Sequence, residues 1–88
     1  MSKLNIYRKN IDEIDDKIIE LLKIRFSIVE DVKKYKKDNN VAVLDKTREN
    51  EIIEKINLLG NQYKNEIKKI YQTLLAVSKD LQKWKDLA

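Results

Sequence analysis

The sequence of 88 residues contains no cysteine, no histidine and no proline, and its single glycine is Gly60. Without cysteine there is neither a disulfide nor thiol chemistry, and without histidine the Ser-His and Cys-His forms of nucleophilic catalysis are excluded. A transition-metal site would need carboxylates alone, so we expect no bound metal. The lack of proline and near lack of glycine favour helices joined by short connections.

The sequence also lacks any apolar run of membrane-spanning length, and no apolar segment follows its charged start as in a signal peptide. We therefore expect a cytoplasmic protein with no membrane partner. The net charge of +4 suits an anionic partner but does not identify one, and a solvated, lysine-rich surface is the simpler explanation of this charge. Only three cations are arginines, Arg8, Arg25 and Arg48, and each raises the question of why a planar, bidentate guanidinium is present.

Apolar residues recur at heptad spacing over about residues 4–38, which predicts one very long first helix. One heptad position holds Leu4, Ile11, Ile18 and Val32, and the other holds Tyr7, Ile14, Leu21, Ile28 and Tyr35. A second helix is expected over about residues 46–60, after Asp45 as N-cap, and a third over about residues 65–85. The sequence thus predicts one all-α domain of three helices over residues 1–88.

The predicted first helix is too long for a compact monomer. Some 35 residues make a helix of about 50 Å, whereas a compact chain of this size has a radius of gyration of only about 12 Å. A second copy would cover the overhanging apolar stripe if the long helices cross antiparallel about a two-fold axis near Leu22. We therefore predict an intertwined antiparallel helical homodimer.

Two cations of the first helix share one face. Arg25 lies on an apolar heptad position, and Lys36 lies within roughly 20° of it around the helix. A buried guanidinium needs an anion, and a bound anion, an internal ion pair or snorkelling would each satisfy Arg25. Lys36 belongs to a lysine-rich run that solvation alone would explain. In the antiparallel dimer, Arg8 of the partner subunit falls level with Lys36.

The other helices also place polar residues at apolar positions. Glu49 continues the apolar stripe of the second helix beside Arg48, and the helix dipole alone would favour a glutamate there. The free N–H groups after Asp45 can bind a hydroxyl or carboxylate. On the third helix, Ser78 and Gln82 lie one turn apart on the apolar stripe, although a buried serine often bonds to its own helix.

These residues resemble the active site of the all-helical chorismate mutases, and the resemblance covers essentially the whole chain. The matching segments, in order, are residues 8–15, Arg25, residues 32–36, residues 45–49 and residues 78–82. The resemblance implies the Claisen rearrangement of chorismate to prephenate, on the route to phenylalanine and tyrosine. This reaction is pericyclic and cofactor-free, and it requires orientation of the substrate and stabilisation of the charge that develops on its ether oxygen.

The resemblance also implies roles for individual residues. Arg25 and the partner subunit's Arg8 would bind the two substrate carboxylates. Lys36 and Gln82 would donate hydrogen bonds to the ether oxygen, with Lys36 also touching a carboxylate. The substrate, chorismate, would thus lie between two chains of a homodimer with shared active sites.

Four further residues complete the implied site. Glu49 and the backbone at Asp45 would receive the ring hydroxyl. Ser78 would contact the ring carboxylate, and Arg48 would complete the positive wall. The catalytic set is then Lys36, Gln82, Arg25 and Glu49, without a metal.

Two alternatives remain open from the sequence. An isochorismate-pyruvate lyase shares this fold and much of the pocket, and it differs in its substrate. A non-catalytic basic helical module for dimerisation or nucleic-acid binding would explain the charge, and would show strongly salt-dependent binding. It would not explain the polar residues on apolar stripes, and the few aromatics do not interleave with the lysines. We therefore expect no nucleic-acid partner.

Overall fold

The computed structural model describes residues 2–84 and contains three α-helices. Helix α1 spans Lys3–Asp38, α2 spans Lys46–Leu59 and α3 spans Lys64–Gln82, and a short 3-10 turn, Asn61–Tyr63, joins α2 to α3. The described residues form no strand, so the all-helical prediction is confirmed. None of the helices within residues 2–84 has the length and hydropathy that a membrane span needs.

Helix α3 ends earlier than the sequence predicts. Lys83 leaves the helix with φ −62° and ψ 120°, while its N–H donates to the Asp80 carbonyl at 3.3 Å. The last turn therefore has the hydrogen bond of a 3-10 helix, between residues three positions apart, before the chain becomes extended. The sequence has no stop signal at this point, and the expected end near residue 85 lies outside the described residues.

Local side-chain hydrogen bonds fix the helix ends that border the α1–α2 loop. The Asp45 carboxylate accepts from the Arg48 N–H at 2.9 Å and caps α2, which satisfies one of the free donors of the first turn. Helix α1 ends at Asp38 with Asn39 as its C-cap, and Asn40 adopts a left-handed φ of 52°, a conformation that asparagine tolerates better than most residues. The loop therefore begins and ends at fixed positions beside the third helix.

Gly60 permits the close approach of α2 and α3. Its φ of −75° is right-handed, and the left-handed φ of 51° lies instead at Asn61. A Cβ atom on Gly60 would lie 2.7 Å from the Ile56 carbonyl oxygen and 2.7 Å from the Lys64 Cα. Both obstacles are backbone atoms, so a side chain here would have to push the two helices apart.

We expect Gly60→Ala to destabilise the fold by about 2 kcal/mol, since overpacking against backbone outweighs the better helix propensity of alanine. Thermal unfolding followed by circular dichroism at a fixed protein concentration measures the change. Asn57→Ala is the control, because Asn57 is an exposed residue in the last turn of α2 and should shift stability by less than about 0.5 kcal/mol. An unchanged midpoint for Gly60→Ala would refute the packing argument.

The protomer has a small interior for its size. Helix α3 packs against both α1 and α2, yet among the described residues only the side chains of Val29, Ile56 and Ser78 are buried. Even Ile70, in the middle of α3, is 66% exposed. The protomer extends over 56 × 24 × 22 Å with a radius of gyration of 16.7 Å. Helix α1 therefore projects far beyond the two shorter helices.

The projecting part of α1 carries an uncovered apolar stripe. Eight of the nine apolar side chains on the predicted heptad positions are exposed, and Val32 is half-buried. The exposed ones are Leu4, Tyr7, Ile11, Ile14, Ile18, Leu21, Ile28 and Tyr35. Monomeric proteins rarely leave so continuous an apolar surface in water.

Candidate functional site

A cavity of about 340 Å³ lies where the C-terminal half of α1, the start of α2 and the end of α3 meet. Seven of the eight residues predicted from the sequence line it: Arg25, Lys36, Asp45, Arg48, Glu49, Ser78 and Gln82. The rest of its wall is mainly apolar and includes Val29, Val32, Ile52 and Leu75. The cavity thus combines converging polar groups with apolar walls, as small-molecule sites usually do.

Arg25 reaches from α1 to α3. Its Nη1 donates a hydrogen bond to Ser78 Oγ, and Ser78, which is only 4% exposed, donates in turn to the Leu74 carbonyl at 2.8 Å. Ser78 therefore bonds to its own helix and also orients Arg25. The guanidinium has no carboxylate partner within residues 2–84, so its other donors are available to a bound anion.

Lys36 bridges the loop and the third helix. Its Nζ donates to Gln82 Oε1 at 2.8 Å and to the Val43 carbonyl at 3.0 Å. An ammonium group has three donors, so one remains. Because the Gln82 oxygen accepts from Lys36, the Gln82 amide nitrogen is left as a donor. Both residues can therefore donate to the same ligand atom.

The first turn of α2 provides the carboxylates of the cavity. The Asp45 side chain is occupied in capping, and the Glu49 N–H donates to the Asp45 carbonyl at 3.1 Å. Glu49 is a half-buried side chain that pairs with Lys79 of α3 at 3.3 Å. Arg48 lines the cavity but directs Nη1 to the Glu51 carboxylate at 3.1 Å, near the surface.

Arg8 does not reach the cavity of its own protomer. It is exposed near the start of α1, about 25 Å from Arg25 along the helix axis. One protomer alone therefore brings together seven of the eight predicted residues and leaves Arg8 apart.

Sequence reasoning missed two contributors to the cavity, the Val43 carbonyl and Lys79. A pattern of side chains cannot predict which backbone carbonyl of a loop will face the cavity. Lys79, however, follows Tyr71 and Leu75 at successive spacings of four, so it continues an apolar row of α3. A cation in such a row is the same signal that singles out Arg25.

The charges of the cavity suit a compact dianion with a hydroxyl group. Arg25 and Lys36 have no carboxylate partner within the described part of the chain, and Glu49 of α2 supplies an acceptor in the same cavity. Charge-assisted hydrogen bonds to carboxylates are among the strongest that side chains form. The arrangement can therefore bind, orient and polarise a small acid without a covalent step.

Comparison with known proteins supplies independent findings. The sequence profile of the family described as chorismate mutase type II matches residues 7–83. A chorismate mutase from Methanocaldococcus jannaschii is 37% identical over an alignment of 86 residues, and the match covers 94% of this chain and 87% of the relative.

Two further proteins are similar to this chain. A bifunctional chorismate mutase/prephenate dehydratase from Buchnera aphidicola is 35% identical over 93% of this chain, but the match covers only 22% of that longer protein. A solved structure of a conserved hypothetical protein from Pyrococcus furiosus superposes with a TM-score of 0.81 at 36% identity, covering 94% of this chain and 99% of the other.

Proposed function

Since this chain belongs to the type II chorismate mutase family and is a chorismate mutase, we propose that it works as an intertwined antiparallel homodimer with two shared active sites. The enzyme catalyses the rearrangement of chorismate to prephenate in aromatic amino acid biosynthesis. One observation carries the proposal for the site: Arg25, Lys36, Glu49, Ser78 and Gln82 converge on one cavity. This set provides donors and charge for a dianionic ether.

The exposed area of the protomer supports the dimer. A folded monomer of 10.5 kDa has an accessible surface of roughly 5,400 Å², whereas this protomer exposes 7551 Å². The excess, roughly 2,000 Å² on each chain, is the area that obligate homodimers bury. The uncovered apolar stripe of α1 is the surface that a second copy would cover.

The antiparallel arrangement completes the cavity. With the two-fold axis near Leu22, residues whose numbers add to 44 lie level on the two crossing helices, which sets the partner's Arg8 beside Lys36. The partner's Arg8 would bind one carboxylate of the substrate, and Arg25 would bind the other with Ser78 beside it. This clamp fixes the enolpyruvyl side chain over the ring, and fixing two reacting parts of one molecule lowers the barrier through orientation.

The transition state develops negative charge on the ether oxygen as the C–O bond breaks. Lys36 Nζ and the Gln82 amide nitrogen are the donors available to that oxygen, and their mutual hydrogen bond of 2.8 Å holds both before the substrate enters. Donors that are already oriented stabilise developing charge without reorganisation during the reaction. No proton is transferred in this scheme, and no cofactor is required.

The N-terminus of α2 would receive the ring hydroxyl. The Glu49 carboxylate would accept a hydrogen bond from the ring hydroxyl, and the backbone near Asp45 would contact the hydroxyl oxygen. Arg48 would keep the wall positive while its side chain bonds to Glu51 near the surface. Together these contacts define which face of the ring points toward Lys36.

A subunit-mixing experiment tests the shared site. Arg8→Ala and Arg25→Ala should each be nearly inactive alone, because each removes one carboxylate clamp from every site. After subunit exchange, half of the dimers contain one chain of each variant, and one of their two sites has both arginines. Specific activity should therefore recover to about one quarter of the wild-type value, the statistical share of intact sites in a two-fold dimer.

The control is Arg25→Ala mixed with the double variant Arg8→Ala/Arg25→Ala, which can form no intact site and should stay inactive. Exchange is followed by the appearance of heterodimers in native mass spectrometry. If heterodimers form without any gain in activity, the proposal that two chains build one site is wrong.

A further inference from the structure

We propose that Lys79 is a positioning residue of the active site, and that its ammonium group orients the Glu49 carboxylate toward the ring hydroxyl of the substrate. The inference rests on the role proposed above for Glu49. It adds a residue to which neither the sequence analysis nor the family resemblance gives a part in the reaction.

The geometry sets this ion pair apart from the others. Lys79 Nζ lies 3.3 Å from Glu49 Oε1, with exposed side-chain fractions of 37% and 21%. Both residues line the cavity. The remaining ion pairs within residues 2–84 join partners three positions apart, and all of their side chains are largely exposed: Lys23–Glu20, Arg48–Glu51 and Lys83–Asp80. Such exposed pairs contribute little to stability, whereas Lys79–Glu49 links α3 to the first turn of α2.

The pair leaves half of the carboxylate free for a ligand. Lys79 contacts Oε1, and Oε2 has no hydrogen bond with the part of the chain that the structure describes. A carboxylate accepts at both oxygens, so Glu49 can hold Lys79 and a substrate hydroxyl at once. The lysine thus fixes the direction of the acceptor without occupying it.

Lys79 also protects the substrate-binding cations. Arg25, Lys36 and Arg48 line the same cavity as Glu49, and opposite charges attract strongly in a partly dry site. Without Lys79, the Glu49 carboxylate would turn toward these cations and compete with the carboxylates of the substrate. Because Lys79 neutralises the charge of Glu49, these three cations remain available to the carboxylates of the substrate.

Steady-state kinetics of Lys79→Met, Glu49→Gln and the double variant test the inference. Methionine keeps the length of the side chain and removes its charge. We expect Lys79→Met to raise KM about five-fold with kcat within about two-fold, since a contact made equally in ground and transition state acts on KM. In the Glu49→Gln background the same change should have no further effect, because the two side chains act as a unit. Lys79→Arg should restore KM.

Lys83→Met is the matched control. Lys83 lies four residues further and pairs with Asp80 outside the cavity, so its replacement should leave KM unchanged. Circular dichroism verifies that all variants keep their helices. An unchanged KM for Lys79→Met, or an equal rise in both Glu49 backgrounds, overturns the inference. If Glu49→Gln itself binds substrate normally, the role of Glu49 fails too, whereas an impaired Glu49→Gln beside a normal Lys79→Met rejects Lys79 alone.

Discussion

Lys36→Ala is expected to lower kcat/KM at least about 100-fold, because loss of one donor to a developing oxyanion costs roughly 3–4 kcal/mol. The side chain donates to Gln82 and to the Val43 carbonyl, so its removal also releases Gln82 from its fixed orientation. Both donors to the ether oxygen are then weakened by one substitution. Most of the loss should appear in kcat, since the charge on this oxygen grows only as the bond breaks.

The matching control for Lys36 is its neighbour Lys37. Lys37 is exposed on α1 and belongs to the same basic run, so Lys37→Ala should retain turnover within about two-fold, as surface substitutions usually do. The assay follows the loss of chorismate absorbance, with prephenate identified as the product. Near-normal turnover by Lys36→Ala would refute its assignment to the ether oxygen.

Arg25→Ala is expected to lower kcat/KM by about 10³-fold, since removing one partner of a desolvated, hydrogen-bonded charge pair costs about 4 kcal/mol. The substrate carboxylate would be left without its partner in a cavity with apolar walls. Ser78, which is buried and accepts from Arg25, would lose its contact across the helices. Because the carboxylate is charged in ground and transition state alike, a large part of this loss should appear as a raised KM.

Arg25→Lys separates charge from geometry. A lysine keeps the positive charge but lacks the planar fork that binds a carboxylate through two parallel N–H groups, so an intermediate loss of about ten- to 100-fold is expected. Lys23→Ala, which removes an exposed cation paired to Glu20 on the same helix, should have little effect. Activity of Arg25→Ala equal to that of Lys23→Ala would show that Arg25 does not bind substrate.

The sequence predicts much of this architecture because its periodicity is unusually continuous. A heptad pattern without proline fixes α1, and asparagines and the capping Asp45 mark the loop between α1 and α2. The same pattern exposes Arg25 as a cation at an apolar position. Periodicity therefore predicts both the helices and the residues that break their apolar stripes.

Features that depend on the relative position of two helices were not predictable in this way. The contact of Lys79 with Glu49 joins α3 to α2, and sequence spacing does not report a distance between different helices. Sequence spacing likewise does not show that Gly60 serves a close approach of two backbones, or that the left-handed φ falls on Asn61. Arg48 forms an ion pair with Glu51, and sequence spacing alone does not identify this partner.

The uncovered stripe of α1 has a thermodynamic consequence for the proposed dimer. A ligand clamped by arginines of two different chains binds the assembled form and has no complete site on a separated chain. By linkage, such a ligand must tighten the association of the chains by the same factor by which association tightens the ligand. Chorismate would then lower the dissociation constant of the dimer, and the dimer would be most stable while the enzyme is saturated with substrate.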